Sequence, residues 1–144
     1  MIRESIEINR SVDDVFAYLD QLDRHGEWQT SILSVELETE GPTRVGTRAT
    51  EMRKVPGGKQ KVTYEITAHE PPRLASFRGV NGPIRPIGTV TVEPAGESRS
   101  RVTIDLDFEG HGIGKLLLPL VRRDARKLLP DDQRRFKERL EAGA

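Results

Sequence analysis

Residues 101–141 read RVTIDLDFEGHGIGKLLLPLVRRDARKLLPDDQRRFKERLE, and the period of the apolar residues changes within this stretch. Over residues 101–109 apolar and polar residues alternate, which is typical of a strand with one buried face. After the glycine-rich segment 110–114, apolar residues recur at every third or fourth position, which indicates an amphipathic helix of about seven turns. Pro130 lies inside this pattern and is expected to kink the helix or to split it in two. The chain is therefore expected to close with a strand that leads directly into one long helix.

The sequence upstream predicts one further strand, two short helices and an antiparallel meander. Residues 2–8 alternate, and Ser11 is placed to cap a short helix whose N-terminal end favours Asp13 and Asp14. A second irregular or helical piece covers residues 20–28. The meander then consists of alternating segments at residues 34–40, 46–54, 60–69, 74–80, 87–93 and 101–109. The pattern predicts one α+β domain over residues 1–144, in which a curved antiparallel sheet of about seven strands wraps around the C-terminal helix.

Composition restricts the functions that this chain can have. Its 23 basic and 23 acidic residues balance, so the molecule as a whole has no electrostatic attraction to nucleic acid. It contains no cysteine, which removes disulfides, thiol nucleophiles and thiolate metal sites. The longest apolar run, residues 116–121, is too short to cross a bilayer, and the N-terminus does not have the pattern of a signal peptide. We expect a cytoplasmic protein without stable membrane insertion, either a monomer or a homodimer.

A single helix cannot fill the hollow of a strongly bent sheet, so a cavity is expected between the two. Trp28 follows the short helices and is expected either near the cavity entrance or between these helices and the sheet, and a core role is favoured over ligand stacking. Asp124 lies at the edge of the apolar stripe of the long helix. The predicted walls, with these two residues included, are Trp28, Met52, Val62, Tyr64, Ile66, Phe77, Val90, Ile104, Leu106, Phe108, Leu117, Val121, Asp124, Ala125 and Leu128.

Several short motifs occur in a characteristic order along nearly the whole chain. They are Ile6-Glu7-Ile8 before Ser11-Val12-Asp13-Asp14-Val15-Phe16, Asp20 with Trp28, Gly46-Thr47-Arg48, Glu70-Pro71-Pro72-Arg73-Leu74, Gly88 with Glu93-Pro94, Arg101-Val102-Thr103, and Leu129-Pro130 ahead of residues 136–141. In this ordered set the chain resembles the START/Bet v1 (SRPBCC) superfamily, in particular its polyketide cyclase/dehydrase-type branch. The resemblance implies a helix-grip fold. Members of the superfamily include aromatase/cyclases, lipid and quinone carriers, and plant allergen-like ligand binders.

The usual catalytic and metal-binding patterns are missing from the sequence. His25, His69 and His111 form no spaced pair, so neither a metal nor another cofactor is expected. The glycines of residues 110–114 do not match a phosphate-binding motif and are interpreted as a hinge between strand and helix. No serine lies in a nucleophile elbow. No residue is assigned a catalytic role.

The sequence leaves three functions open. We favour binding or transport of a small hydrophobic or aromatic molecule that is lipid-, quinone- or polyketide-like, which requires a continuous cavity of about 300 Å³ or more. A polyketide cyclase, aromatase or dehydratase would need polar side chains that converge in the cavity. A protein-interaction module would expose an apolar patch elsewhere. Alternation does not orient Glu51, Arg53 and Arg78, and an exposed position is favoured for such strand charges.

Overall fold

The computed structural model describes residues 1–144 and has one antiparallel sheet of seven strands. The elements are β1 (Ile2–Ile8), α1 (Val12–Leu19), a 3₁₀ helix (Leu22–Glu27), β2 (Ile32–Leu37), β3 (Arg48–Val55), β4 (Gly58–Glu70), β5 (Leu74–Gly79), β6 (Ile84–Gly96), β7 (Arg99–Gly110) and α2 (Gly114–Glu141). The strand order is β1-β7-β6-β5-β4-β3-β2, so that β1 closes one edge beside β7 while the meander forms the rest. The predicted helix-grip architecture is confirmed.

Helix α1 begins where the sequence predicted. The Ser11 side chain accepts a hydrogen bond from the backbone N–H of Asp14 at 3.2 Å, and Asp13 and Asp14 occupy the first turn. This cap satisfies one of the backbone donors that every helix start leaves without a partner. The same helix buries Val15, Phe16, Tyr18 and Leu19 against the sheet and α2.

Strand β6 is longer at both ends than the predicted segment 87–93. It pairs with β7 along most of its length but with β5 only from Ile87 to Thr91. Pro86 and Pro94 lie outside the part of β6 that is hydrogen-bonded on both sides, which is where a strand tolerates proline. The two prolines therefore flank the part of β6 that pairs with both β5 and β7, and they do not mark the ends of the strand.

Helix α2 is a single continuous helix of 28 residues, and Pro130 does not split it. The two halves of α2 contact different parts of the molecule. Leu129, Phe136 and Leu140 of the second half are buried in the main core, where the Phe136 ring packs at 4.8 Å from the Trp28 ring and at 5.4 Å from the Tyr18 ring. The first half lies over the remaining hollow of the sheet. No helix combines the length and hydropathy that a bilayer span requires.

Candidate functional site

The hollow between the sheet and the first half of α2 is a cavity of about 210 Å³ with mostly apolar walls. This volume is below the 300 Å³ that was expected for a carrier. An apolar cavity of about 150 Å³ is known to hold benzene, so the space in this protein suits a molecule of about one ring with short substituents. The exposed residues Lys54, near the end of β3, and Pro56, in the β3–β4 turn, belong to the wall, and the cavity approaches solvent there.

The structure brings together all but two of the residues predicted to form the walls. Alternation places the predicted residues of β4, β5, β6 and β7 on the inner face, and the stripe of α2 supplies the opposite side. The predicted residues that line the cavity are Trp28, Val62, Tyr64, Ile66, Phe77, Val90, Ile104, Leu106, Phe108, Val121, Asp124, Ala125 and Leu128.

The prediction for Met52 is wrong, because the other face of β3 lies inward. Glu51 and Arg53 line the cavity, so Met52 between them points to the outer side of the sheet. Thr50 shares this outer face and forms a hydrogen bond of 2.8 Å with Thr63 on β4. The alternating pattern of β3 allowed either of its faces to lie inward. The face with Arg53 lies inward, where the Arg53 side chain binds Glu51, Ser31 and Gln29.

The prediction for Leu117 is also wrong. Leu117 is 41% exposed and belongs to a group of exposed apolar residues at the start of α2, with Ile113, Leu116 and Leu120. Both Leu117 and Leu118 lie at helical spacing before Val121, but a change of one residue rotates a side chain by about 100° around the helix. Leu118 is the half-buried one of the two.

Sequence reasoning missed several wall residues whose signals were present. Ile84 and Pro86 continue the alternation of Gly88 and Val90, but they precede the predicted start of the strand. Asp132 follows Leu128 by four residues on the same helix stripe. The other missed residues are Leu19, Asp20, Leu22, His25, Gln29, Ser31, Glu51, Arg53, Lys54, Val55, Pro56, Gln60, Ala75 and Leu129.

One corner of the cavity is polar and is organised by Arg53. Its Nε donates to Oε2 of Glu51 at 2.7 Å, and the Glu51 side chain is only 3% exposed. The remaining guanidinium nitrogens donate to Ser31 Oγ at 2.9 Å and to the Gln29 side-chain oxygen. A buried carboxylate needs a paired cation, which explains why Arg53 accompanies Glu51. The favoured outward orientation is therefore wrong for Glu51 and Arg53.

Arg78 differs from these two residues, because its side chain lies on the outer face of the sheet. It is 56% exposed and forms an ion pair with Glu109 at 3.0 Å. It does not line the cavity. The outward orientation that was favoured for strand charges is correct for Arg78.

Tyr64 lies beside this corner and is the most distinctive polar residue of the cavity. Its ring packs edge to face on Phe77 with the centroids 5.8 Å apart, and its buried hydroxyl has no hydrogen-bond partner. Burial, followed by the nearby charge of Glu51, raises the pKa of Tyr64. The hydroxyl therefore keeps its proton at neutral pH and is available as a donor. Trp28 Nε1 is a second buried donor without a partner.

Among the other titratable side chains of the wall, His25, Asp20 and Asp132 have pKa values that are shifted by burial. His25 Nε2 forms a hydrogen bond of 2.7 Å with the backbone oxygen of Leu19, and burial lowers the pKa of His25, which favours the neutral imidazole. Burial raises the pKa of Asp20 and of Asp132. Each of these carboxylates has a basic partner at 2.9 Å, His69 for Asp20 and Arg135 for Asp132.

The whole chain can be compared with known families and structures. Residues 1–142 match the family model described as "Polyketide cyclase / dehydrase and lipid transport". A search of curated proteins found no significant match. The chain belongs to the polyketide cyclase / dehydrase and lipid transport family, as the sequence motifs predicted.

Solved structures of three similar proteins share the fold. A protein from Thermus thermophilus has a TM-score of 0.81 at 23% identity, and the match covers 99% of both chains. The Zhui aromatase/cyclase from a Streptomyces species has a TM-score of 0.81 at 13% identity, with 97% of this chain and 92% of that chain covered. A START superfamily protein from Mycobacterium smegmatis has a TM-score of 0.80 at 13% identity, with 99% and 98% covered.

Proposed function

We propose that this protein binds and carries a small, mainly apolar molecule in the cavity between the sheet and α2. The observation that supports this most strongly is the cavity itself, because the first half of α2 covers the sheet without filling the space beneath it. A protein interior is otherwise packed as densely as an organic crystal. A space of about 210 Å³ is below the usual size of a site for a drug-sized ligand, but it is large enough for a one-ring molecule.

Native mass spectrometry of gently purified protein tests this proposal, with two variants that make the same chemical change. Ala125 is half-buried on the cavity wall, whereas Ala17 is exposed on α1. We expect the wild type and Ala17→Phe to carry a non-covalent small molecule, and Ala125→Phe to lose it because the new ring occupies the space. Equal loading of all three proteins would contradict the proposal. Thermal unfolding of both variants checks that they are folded.

We propose as a second candidate an enzyme that moves a proton of a bound carbonyl compound, in line with the cyclases of the family. The specific observation is that Glu51 and Tyr64 share one buried corner of the cavity. The carboxylate of Glu51 would take a proton from the carbon between two carbonyl groups, and the electron pair would form an enolate. The Tyr64 hydroxyl would donate a hydrogen bond to the enolate oxygen.

Exchange of this carbon-bound proton in D₂O tests the second candidate. Benzoylacetone is a one-ring β-diketone, and its exchange is followed by NMR. If the candidate is correct, the wild type accelerates the exchange and Glu51→Gln reduces the acceleration at least about a hundredfold, the usual size of general-base catalysis. Exchange that is the same with and without the protein would contradict this function and leave the carrier function in place.

A further inference from the structure

We infer that the ligand is a small phenol, a one-ring aromatic whose hydroxyl group lies between Tyr64 and Glu51. This inference rests on the proposed carrier function and names the chemical class of the cargo. It begins with Trp28 Nε1 and Tyr64 Oη, the two buried side-chain polar atoms of the molecule that have no hydrogen-bond partner. Both residues line the same cavity. Since buried polar groups in folded proteins almost always have partners, a polar ligand atom is the natural partner in this place.

The position of Glu51 determines which polar group fits. Glu51 acts on the Tyr64 hydroxyl through its charge and as a nearby acceptor, so the two side chains lie close together, yet no hydrogen bond of ordinary geometry joins them. Arg53 engages Oε2 of Glu51, which leaves Oε1 to accept from a ligand. A group placed here has to accept from Tyr64 and donate to Glu51. A hydroxyl group does both, whereas an ether or a carbonyl only accepts.

The same contacts disfavour an anionic ligand. Arg53 is the cation of this corner; Glu51 neutralises its charge, and three of its five N–H donors bind Glu51, Ser31 and Gln29. A ligand carboxylate would therefore meet the buried charge of Glu51 without a free cation to balance it. A neutral hydroxyl does not incur this repulsion.

The aromatic class follows from the walls and from the volume. The chain has only seven aromatic residues, four Phe, two Tyr and one Trp. Four of them, Trp28, Tyr64, Phe77 and Phe108, line this cavity. Aromatic side chains pack well on a flat ring in edge-to-face or offset arrangements. A volume of about 210 Å³ accommodates one ring and a short alkyl group rather than a fused polycycle or a long acyl chain.

Isothermal titration calorimetry at pH 7 with four matched probes tests the inference. The probes are propylbenzene, para-propylphenol, para-propylanisole and para-propylbenzoate, which differ only in the polar group. We expect the phenol to bind about tenfold more tightly than propylbenzene, as a hydrogen bond to a charged group would give. The anisole should bind more weakly than the phenol, and the benzoate should bind most weakly. Tyr64→Phe should remove most of the preference for the phenol, and Tyr18→Phe should retain it, because Tyr18 does not line the cavity.

The outcomes separate the inference from the proposed function. If propylbenzene and the phenol bind equally, the inference is wrong and the carrier function stands. If the anisole equals the phenol, or the benzoate exceeds it, the assigned role of Glu51 is wrong. A phenol preference that persists in Tyr64→Phe contradicts the role of Tyr64. If none of the four probes binds, the carrier function itself fails, and the inference fails with it.

Discussion

At the scale of single residues, the two tyrosines of this chain differ in whether their hydroxyl groups have a hydrogen-bond partner. Both side chains are buried, but the hydroxyl of Tyr18 donates to Glu27 Oε1 at 2.9 Å, whereas the hydroxyl of Tyr64 has no partner. A satisfied buried hydroxyl stabilises a protein by about 1 kcal/mol, and an unsatisfied one destabilises it. We predict that Tyr18→Phe lowers the free energy of unfolding by about 1 kcal/mol, while Tyr64→Phe leaves it unchanged or raises it.

Urea unfolding of the ligand-free protein measures this difference. The change from Tyr to Phe is the same at both positions, so each variant is a control for the other. A loss of stability in Tyr64→Phe as large as that in Tyr18→Phe would mean that the Tyr64 hydroxyl has a partner in the empty cavity.

The sequence identified Tyr64 as an inward residue but could not orient its neighbour Glu51. Tyr64 lies between Val62 and Ile66 at alternate positions, and all three line the cavity. On β3 both faces contain polar residues, so the pattern was ambiguous. The inward orientation of Glu51 and Arg53 depends on the two other partners of Arg53. These are Ser31 and Gln29, which lie 22 and 24 residues away from Arg53 along the chain. Contacts at that distance leave no periodic signal in a sequence.

At the scale of elements, the absence of a side chain at Gly88 in β6 leaves room for the Phe77 ring, which forms part of the cavity wall. A Cβ atom at this position would lie 2.7 Å from Phe77 Cζ and 2.9 Å from the backbone oxygen of Asp105. We predict that Gly88→Ala displaces the Phe77 ring and costs about 1–3 kcal/mol of stability, as overpacking of a core does. Urea unfolding measures the loss.

Gly26 supplies the matched control for this substitution. A Cβ atom there would lie 3.6 Å from Ile32 Cγ2, an ordinary contact, so Gly26→Ala should leave stability nearly unchanged. If Gly88→Ala were as stable as Gly26→Ala, the Phe77 ring would have room to move, and the prediction of tight packing between Gly88 and Phe77 would be wrong.

Periodicity predicted which helices and strands are present better than it predicted where they end or how α2 is rotated about its own axis. The apolar stripe of α2 was identified, yet it permitted both Leu117 and Leu118, of which Leu117 is exposed and Leu118 is half-buried. Pro130 illustrates the same limit. Proline removes a backbone donor from a helix, but α2 continues through Pro130, and Leu129, Phe136 and Leu140 around and after it are buried in the core.

At the scale of the whole molecule, the order of elements made the fold predictable. One long helix after a meander leaves a single way to cover the concave face of the sheet, and the ordered motifs pointed to the same family. The polar corner was less accessible to prediction, because it joins β3 to the chain segment between the 3₁₀ helix and β2. The cavity of about 210 Å³ does not reach the volume of about 300 Å³ that was required for a carrier, and no pattern in a sequence shows how deeply each side chain reaches into the hollow.

The most direct test of the central claim uses Trp28, the only tryptophan, as a reporter on the cavity wall. Its indole N–H gives a single side-chain signal in a ¹⁵N-correlated NMR spectrum, and propylbenzene serves as the probe. We predict a saturable shift of this signal in the wild type and in Ala17→Phe, and no shift in Ala125→Phe. A signal that does not move in the wild type at saturating probe, or that moves equally in Ala125→Phe, would contradict the claim that this cavity binds a small apolar molecule.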